Sequence, residues 1–164
     1  MPYSAAQLSD LQDIRDAALR YCQGVDRLDA TLMKSAYWPD ATDDHGVFVG
    51  NAWAFCEMCM DAHEPWRSTK HCIFNHSIEL NPDGCHARGE IYNVTYLFQA
   101  DAEILDTWVG RYLDLYEKRE DEWRILERVC VHEGTHATAV AAMDIDAASF
   151  RQGDFDRGDR GDNR

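Results

Sequence analysis

The spacing of the apolar residues changes once along this chain, near residue 65, and that change constrains the fold more than any other feature. Ser4-Ala-Ala-Gln7 forms a capping box, and Leu11, Ile14, Ala18, Tyr21 and Val25 recur every three or four residues behind it. The spacing predicts an amphipathic helix that runs out near Asp26, its end weakened by Gly24. A second short helix is expected over 29–37, stopped by Trp38-Pro39, and a third over 52–63 before Pro65, with a short strand over 45–50 between them. Beyond residue 65 the pattern is that of strands, over 67–80, 85–100, 107–118 and 122–135. Asn81-Pro-Asp-Gly84 is a strong turn signal, and Arg119-Glu-Asp-Glu122 marks a second, charged turn. Ile91, Tyr92, Val94, Thr95, Tyr96 and Phe98 support the long strand between them. Helices first and a meander afterwards indicate an α+β fold, with one curved, mostly antiparallel sheet wrapped over three N-terminal helices.

A chain of 164 residues fits one domain, and at this size about two-thirds of the unfolded chain's surface can be buried. The net charge of −14 argues against nucleic acid or an anionic membrane as the main partner, because both need a basic footprint. The chain opens on an amphipathic helix rather than a signal-like apolar stretch, and nothing approaches the length of a membrane span, so a cytoplasmic setting is expected. Apart from Cys56-Glu-Met-Cys59 the six cysteines are scattered singly and read as buried thiols. The segment over 146–164 is an acidic tail rich in Gly, Arg and Asp, expected to be disordered, and it contains Arg-Gly-Asp at 157–159 and 160–162.

Four side chains suggest a buried acid–base pocket. Asp26 follows the first helix, where its carboxylate can enter the space between helices and sheet. Taken alone, it reads more simply as a solvent-facing helix-end aspartate. His71 lies on a strand, with Ile73 and Asn75 on its face. A carboxylate bonded to one imidazole nitrogen fixes the tautomer and leaves the other nitrogen free to take a proton near neutral pH. Arg128 alternates with Leu126, Cys130 and His132 on a core-facing row, so it must be paired or meet an anion; Glu90, Asp114 and Glu127 are candidate structural partners. Tyr21 is on the apolar stripe of the first helix, where it can pack in the core or offer its hydroxyl to a substrate oxygen. Of the many aromatics, Trp38, Tyr96, Trp108 and Tyr112, together with His132, are expected to line the pocket and to favour a hydrophobic, ring-bearing small molecule.

His132-Glu-Gly-Thr-His136 matches the H-E-x-x-H pattern of zinc proteases, which works only on a helix. Here it ends a strand pattern, where the two histidines would share a face but lie about 13–14 Å apart. No metal site is expected there. Cys56-x-x-Cys59 has no second pair and falls within a helical pattern, so it is not expected to bind zinc or act in redox chemistry.

Leu19–Asp26 (L-R-Y-C-Q-G-V-D), Tyr37-Trp-Pro-Asp-Ala41 with Asp43-Asp-His-Gly46, His71-Cys-Ile-Phe-Asn75, Asp114-Leu-Tyr-Glu-Lys-Arg119 and Trp123-Arg-Ile-Leu-Glu-Arg128 resemble, in order and spacing, the SnoaL-like branch of the NTF2-like superfamily. The resemblance spans roughly 8–136 and is nearest in pattern to the family's dehydrochlorinases and dehydratases. It implies a cone-shaped barrel over 1–145 with an Asp–His dyad deep in the cone, used without metal or organic cofactor. It also implies a homodimer or homotrimer formed through the open face of the sheet. By position, Asp26 and His71 would be the dyad and Arg128 the pocket arginine of the dehydrochlorinases. Tyr21 stands where those enzymes have lysine and agrees with the dehydratases, where a tyrosine assists an oxygen leaving group.

The expected activity is therefore a cofactor-independent lyase that eliminates water from a hydrophobic ring-bearing molecule. The same base could break a C–C bond retro-aldol fashion, releasing a small aldehyde, or shift a double bond. Two rivals come from other classes. One is a non-catalytic ligand-binding or dimerisation module, in which Asp26 and His71 would not touch. The other is a zinc hydrolase built on His132 and His136.

Overall fold

A computed structural model describes residues 3–150 and Gly153. Helix α1 (Ala5–Asp26) starts at the capping box: the Ser4 hydroxyl accepts from Gln7 N and the Gln7 side chain accepts from Ser4 N. Its buried stripe, Leu11, Ile14, Ala18, Tyr21 and Val25 among others, faces the sheet. Gly24 is needed for packing rather than flexibility. A Cβ there would lie 2.4 Å from the backbone nitrogen of Met33, so α2 (Ala30–Lys34) rests directly on the backbone of α1.

The second helix is shorter than expected. It ends at Lys34, and Tyr37–Asp44 forms strand β1 instead of a helix end and loop. Pro39 had argued for a break, but the ladder between β1 and the last strand shifts register between Tyr37 and Thr42, so Pro39 occupies a stretch where no amide donor is required. The expected strand at 45–50 shrinks to β2 (Val49–Asn51), which pairs antiparallel with β1. The Asn51 side chain then caps α3 (Ala52–Ala62) by accepting from the amides of Trp53 and Ala54.

Four long strands follow: β3 (Trp66–Leu80), β4 (His86–Gln99), β5 (Ile104–Arg119) and β6 (Glu122–Ala139). The β5–β6 link has only Glu120 and Asp121 between its strands, both with positive φ (51° and 67°), the conformation of a tight primed hairpin turn achieved without glycine. Strand order is β2-β1-β6-β5-β4-β3, with only β1–β6 parallel. The α+β expectation holds, and the curved sheet carries α1 against β3 and β6 and α3 against β1. The sheet is not closed: β2 and β3 remain its edges, so the cone is open rather than a complete barrel.

Tyr92, Leu113 and Val129 are exposed on strands β4, β5 and β6. After β6, Ala147–Ser149 form a 3-10 turn. That turn falls within the segment 146–164 expected to be disordered; the part of it beyond Phe150, with both Arg-Gly-Asp copies, lies outside the described residues except for Gly153. Among the described residues no helix is long and apolar enough to cross a membrane.

Candidate active site

Between α1, α3 and the inner face of the sheet lies a cavity of about 370 Å³. Asp26, the last residue of α1, reaches β3 and accepts three hydrogen bonds there. Its Oδ1 receives His71 Nδ1–H at 2.7 Å and the Thr69 hydroxyl at 2.8 Å, and its Oδ2 receives the His71 amide at 2.9 Å. A carboxylate only accepts, so Nδ1 of His71 carries the hydrogen and Nε2 is the nitrogen available to a molecule in the cavity, which His71 lines. Burial alone would raise the Asp26 pKa. The hydrogen bonds from His71 and Thr69 and the His71 charge outweigh it and hold the carboxyl below its ordinary value.

His71, Thr69 and Ile73 share the inward face of β3, but Asn75 does not. A register shift between Ile73 and His76 inserts one residue, so His76 takes the next inward position. There it meets the Tyr116 hydroxyl at 3.4 Å, and burial pushes its pKa down to about 4. The same happens on β6. A shift between the pairs Tyr116–Ile125 and Asp114–Arg128 makes Leu126 the extra residue, so it does not share the face of Arg128.

Arg128 points inward yet does not line the cavity. It is 1% exposed and grips Asp114 in a fork, Nε to Oδ1 at 2.8 Å and Nη2 to Oδ2 at 2.7 Å. Asp114 is the partner that cross-strand pairing supplies. The guanidinium lies over the rings of Tyr21 and Tyr112 at 4.3 and 4.1 Å. The arginine therefore underlies the site's tyrosines and is screened from the cavity by them.

Tyr21 lines the cavity, but its hydroxyl already has a partner, His45 Nε2 at 3.2 Å. Burial raises the Tyr21 pKa well above that of free tyrosine, with Tyr112 and Tyr37 adding to the shift, so the phenol stays protonated. His45 in turn bonds Asp43 through Nδ1. His63, at the end of α3, also reaches the cavity. Its Nδ1–H donates to the Cys59 carbonyl at 2.8 Å, and burial lowers its pKa, which keeps it neutral. The sequence reading passed over His45 and His63. Asp43-Asp-His-Gly46 entered it only as part of a family pattern, although an Asp-x-His step just past a strand is itself a usable signal. His63 carried no signal, since a histidine at a helix end is usually unremarkable.

Among the expected wall residues, Trp108, Tyr112 and His132 line the cavity, with Phe55 and Trp66 beside them. Two expected wall residues are elsewhere. Trp38 lies on the outside of β1, where its indole donates to the Glu117 carbonyl and its ring meets the guanidinium groups of Arg119 and Arg124, each 4.8 Å away. Tyr96 points away because Thr95 and Leu97 are the β4 residues on the cavity. It is 37% exposed. The H-E-x-x-H segment is strand. A shift beside Gly110 places His132 opposite Gly110 and His136 opposite Thr107, so the two histidines do not share a face as expected. Cys56 and Cys59 sit in α3 as free thiols, and burial pushes Cys56 up to about 12 and Cys59 higher still, which leaves little thiolate for redox or metal chemistry.

The molecule is thus an α+β fold of the cystatin-like kind, an open cone of sheet holding an apolar cavity with an imidazole–carboxylate pair at its wall. Its sequence matches the model of the SnoaL-like domain over residues 6–129, and the chain belongs to that family, within the NTF2-like superfamily. Among solved structures it resembles a type 2 hexachlorocyclohexane dehydrochlorinase (TM-score 0.76, 16% identity, covering 87% of this chain and 97% of that one). It also resembles a provisionally named scytalone dehydratase from Novosphingobium aromaticivorans (TM-score 0.73, 15% identity, 87% and 96%). A Nostoc punctiforme protein of unknown function with a cystatin-like fold is similar as well (TM-score 0.65, 17% identity, 81% and 96%). At such identities the likeness establishes fold alone. No curated protein matches the sequence.

Proposed function

We propose that this protein is a cofactor-independent lyase in which His71, oriented by Asp26, removes a proton from a hydrophobic ring-bearing substrate and so drives elimination of water. The observation that carries the reading is the Asp26 carboxylate, tied at 2.7–2.9 Å to Thr69, to the His71 backbone and to the His71 ring, with the free face of that ring on the cavity. A binding module has no need for an imidazole whose tautomer is held so firmly. The wall of Phe55, Trp66, Trp108 and Tyr112 suits an aromatic or alicyclic ring. The Tyr21 hydroxyl, kept protonated by burial, supports oxygen rather than halide as the leaving atom.

The test is turnover of a panel of ring-bearing β-hydroxy ketones, ring-bearing alcohols and diarylpropane diols, with alkene formation and aldehyde release both monitored. The second product would redirect the same base to C–C cleavage. His71→Ala and Asp26→Ala should each lower kcat by roughly 10²–10⁴-fold. Because the pair acts as a unit, the double variant should be scarcely worse than His71→Ala alone. If both single variants stay within a few-fold of wild type on every converted substrate, the mechanism is wrong.

A further inference from the structure

The cavity contains a second imidazole–carboxylate pair that the reading above leaves without a task. Asp43, at 1% exposure, accepts His45 Nδ1–H on one oxygen and the Tyr37 hydroxyl on the other at 2.7 Å. Nδ1 of His45 thereby carries a hydrogen, and its Nε2 meets the Tyr21 hydroxyl. Its ring is held flat against Phe55, centroids 4.1 Å apart, while its edge lines the cavity. Tyr21 is flanked by both imidazoles, its ring 6.3 Å from that of His71 and 6.4 Å from that of His45. A core tyrosine needs only one acceptor, and a backbone carbonyl would do. Here the partner is an ionisable ring, itself oriented by a buried carboxylate and close to a second such ring.

We infer that Asp43, His45 and Tyr21 form a proton-delivering relay, with His45 the acid of the cavity acting through the Tyr21 hydroxyl on the departing oxygen. The assignment rests on His71 being the base. On a β-hydroxy ketone, His71 Nε2 takes the proton from the carbon beside the carbonyl. The C–H electron pair becomes the new C=C π bond, and the C–O bond breaks with its pair on oxygen. The relay starts with hydrogen on both nitrogens of His45, Nδ1–H on Asp43 and Nε2–H on the Tyr21 oxygen, which leaves the Tyr21 hydrogen free to face the departing group. Tyr21 O–H gives its proton to that oxygen while His45 Nε2–H replaces it, so the phenol is unchanged and water leaves. One proton has then passed, in effect, from His45 to His71, and exchange with solvent restores both. The buried phenol carries the proton without holding negative charge, in keeping with its raised pKa.

A phenyl-bearing β-hydroxy ketone and its β-acetoxy analogue separate the two roles, because departing acetate needs no proton. His45→Gln keeps a hydrogen-bonding group beside Tyr21 but cannot pass a proton on. It should slow the hydroxy ketone by about 10²–10⁴-fold and the acetoxy ketone by no more than about fivefold. His71→Ala should slow both. Tyr21→Phe, which keeps the buried ring and removes the last atom of the relay, should repeat the contrast, so a folding defect at position 45 cannot decide the matter. Equal slowing of the two ketones by His45→Gln and Tyr21→Phe, with His71→Ala still disabling both, overturns the relay and leaves the base in place. If His71→Ala spares both ketones, the lyase reading fails and the relay fails with it; if the wild-type protein converts no ring-bearing β-hydroxy ketone of the panel, elimination of water and the relay that serves it both fail, whatever the other substrates show.

Discussion

Replacing Arg128 by leucine separates the two roles open to this arginine, acting on substrate or holding the fold. The side chains of Arg128 and Asp114 are both 0% exposed, and two hydrogen bonds of 2.8 and 2.7 Å join them. Leucine keeps the apolar stem but leaves the Asp114 carboxylate buried with the Tyr116 hydroxyl, at 2.6 Å, and no cation. Removing one partner of such a pair costs about 3–5 kcal/mol, because the other charge is left uncompensated. Loss of the contacts over Tyr21 and Tyr112 adds up to roughly 2 kcal/mol, though the terms share one side chain and will not sum. The expected loss, about 4 kcal/mol, is a large part of the roughly 5–15 kcal/mol that holds a domain together. Urea unfolding followed by tryptophan fluorescence would read it as a lower midpoint at unchanged slope.

One control sharpens the outcome: adding Asp114→Asn to Arg128→Leu should recover most of the loss, since the stranded charge is gone. An Arg128→Leu protein within about 1 kcal/mol of wild type, yet without turnover, would refute the structural account and return the arginine to the substrate.

Two further outcomes follow from the geometry. Gly110→Ala would place a Cβ 2.0 Å from the Val131 carbonyl oxygen and 2.3 Å from the Trp108 ring, so it should cost at least about 1–3 kcal/mol and disturb the cavity wall, read as a lower Tm with altered tryptophan emission. The depressed pKa of Asp26 makes it a source of stability that is present above the unfolded carboxyl value of about 3.9 and lost as pH falls through its lower folded value. The stability gap between wild type and Asp26→Asn should accordingly narrow below about pH 4 in urea titrations, and a gap that widens there would contradict the bonding described.

How much of the site could be read in advance depended on whether each residue's orientation was local. The capping box and the three-to-four spacing placed Asp26 at the end of α1 and Tyr21 on its buried stripe, because both follow from helix geometry within a single element. Alternation on a strand put His71 with Ile73, and Arg128 with Cys130 and His132, correctly for as long as the count ran unbroken. It failed at Asn75, at Leu126 and between His132 and His136, each time beside a register shift. One inserted residue reverses the parity of everything beyond it, and such shifts accompany the bending of long strands around the helices.

The sequence alone therefore determined the class of fold, the boundaries of the long strands to within a few residues, and the Asp26 and His71 positions. Periodicity, caps and turn residues act over a few positions and are written in neighbouring letters. Only the tertiary structure decided that Asp114 rather than Glu90 or Glu127 answers Arg128, that Trp38 lies outside, and that His45, held by Asp43, comes round to meet Tyr21. Those pairings join residues on different elements, and the curvature of the sheet sets which side chains meet across them.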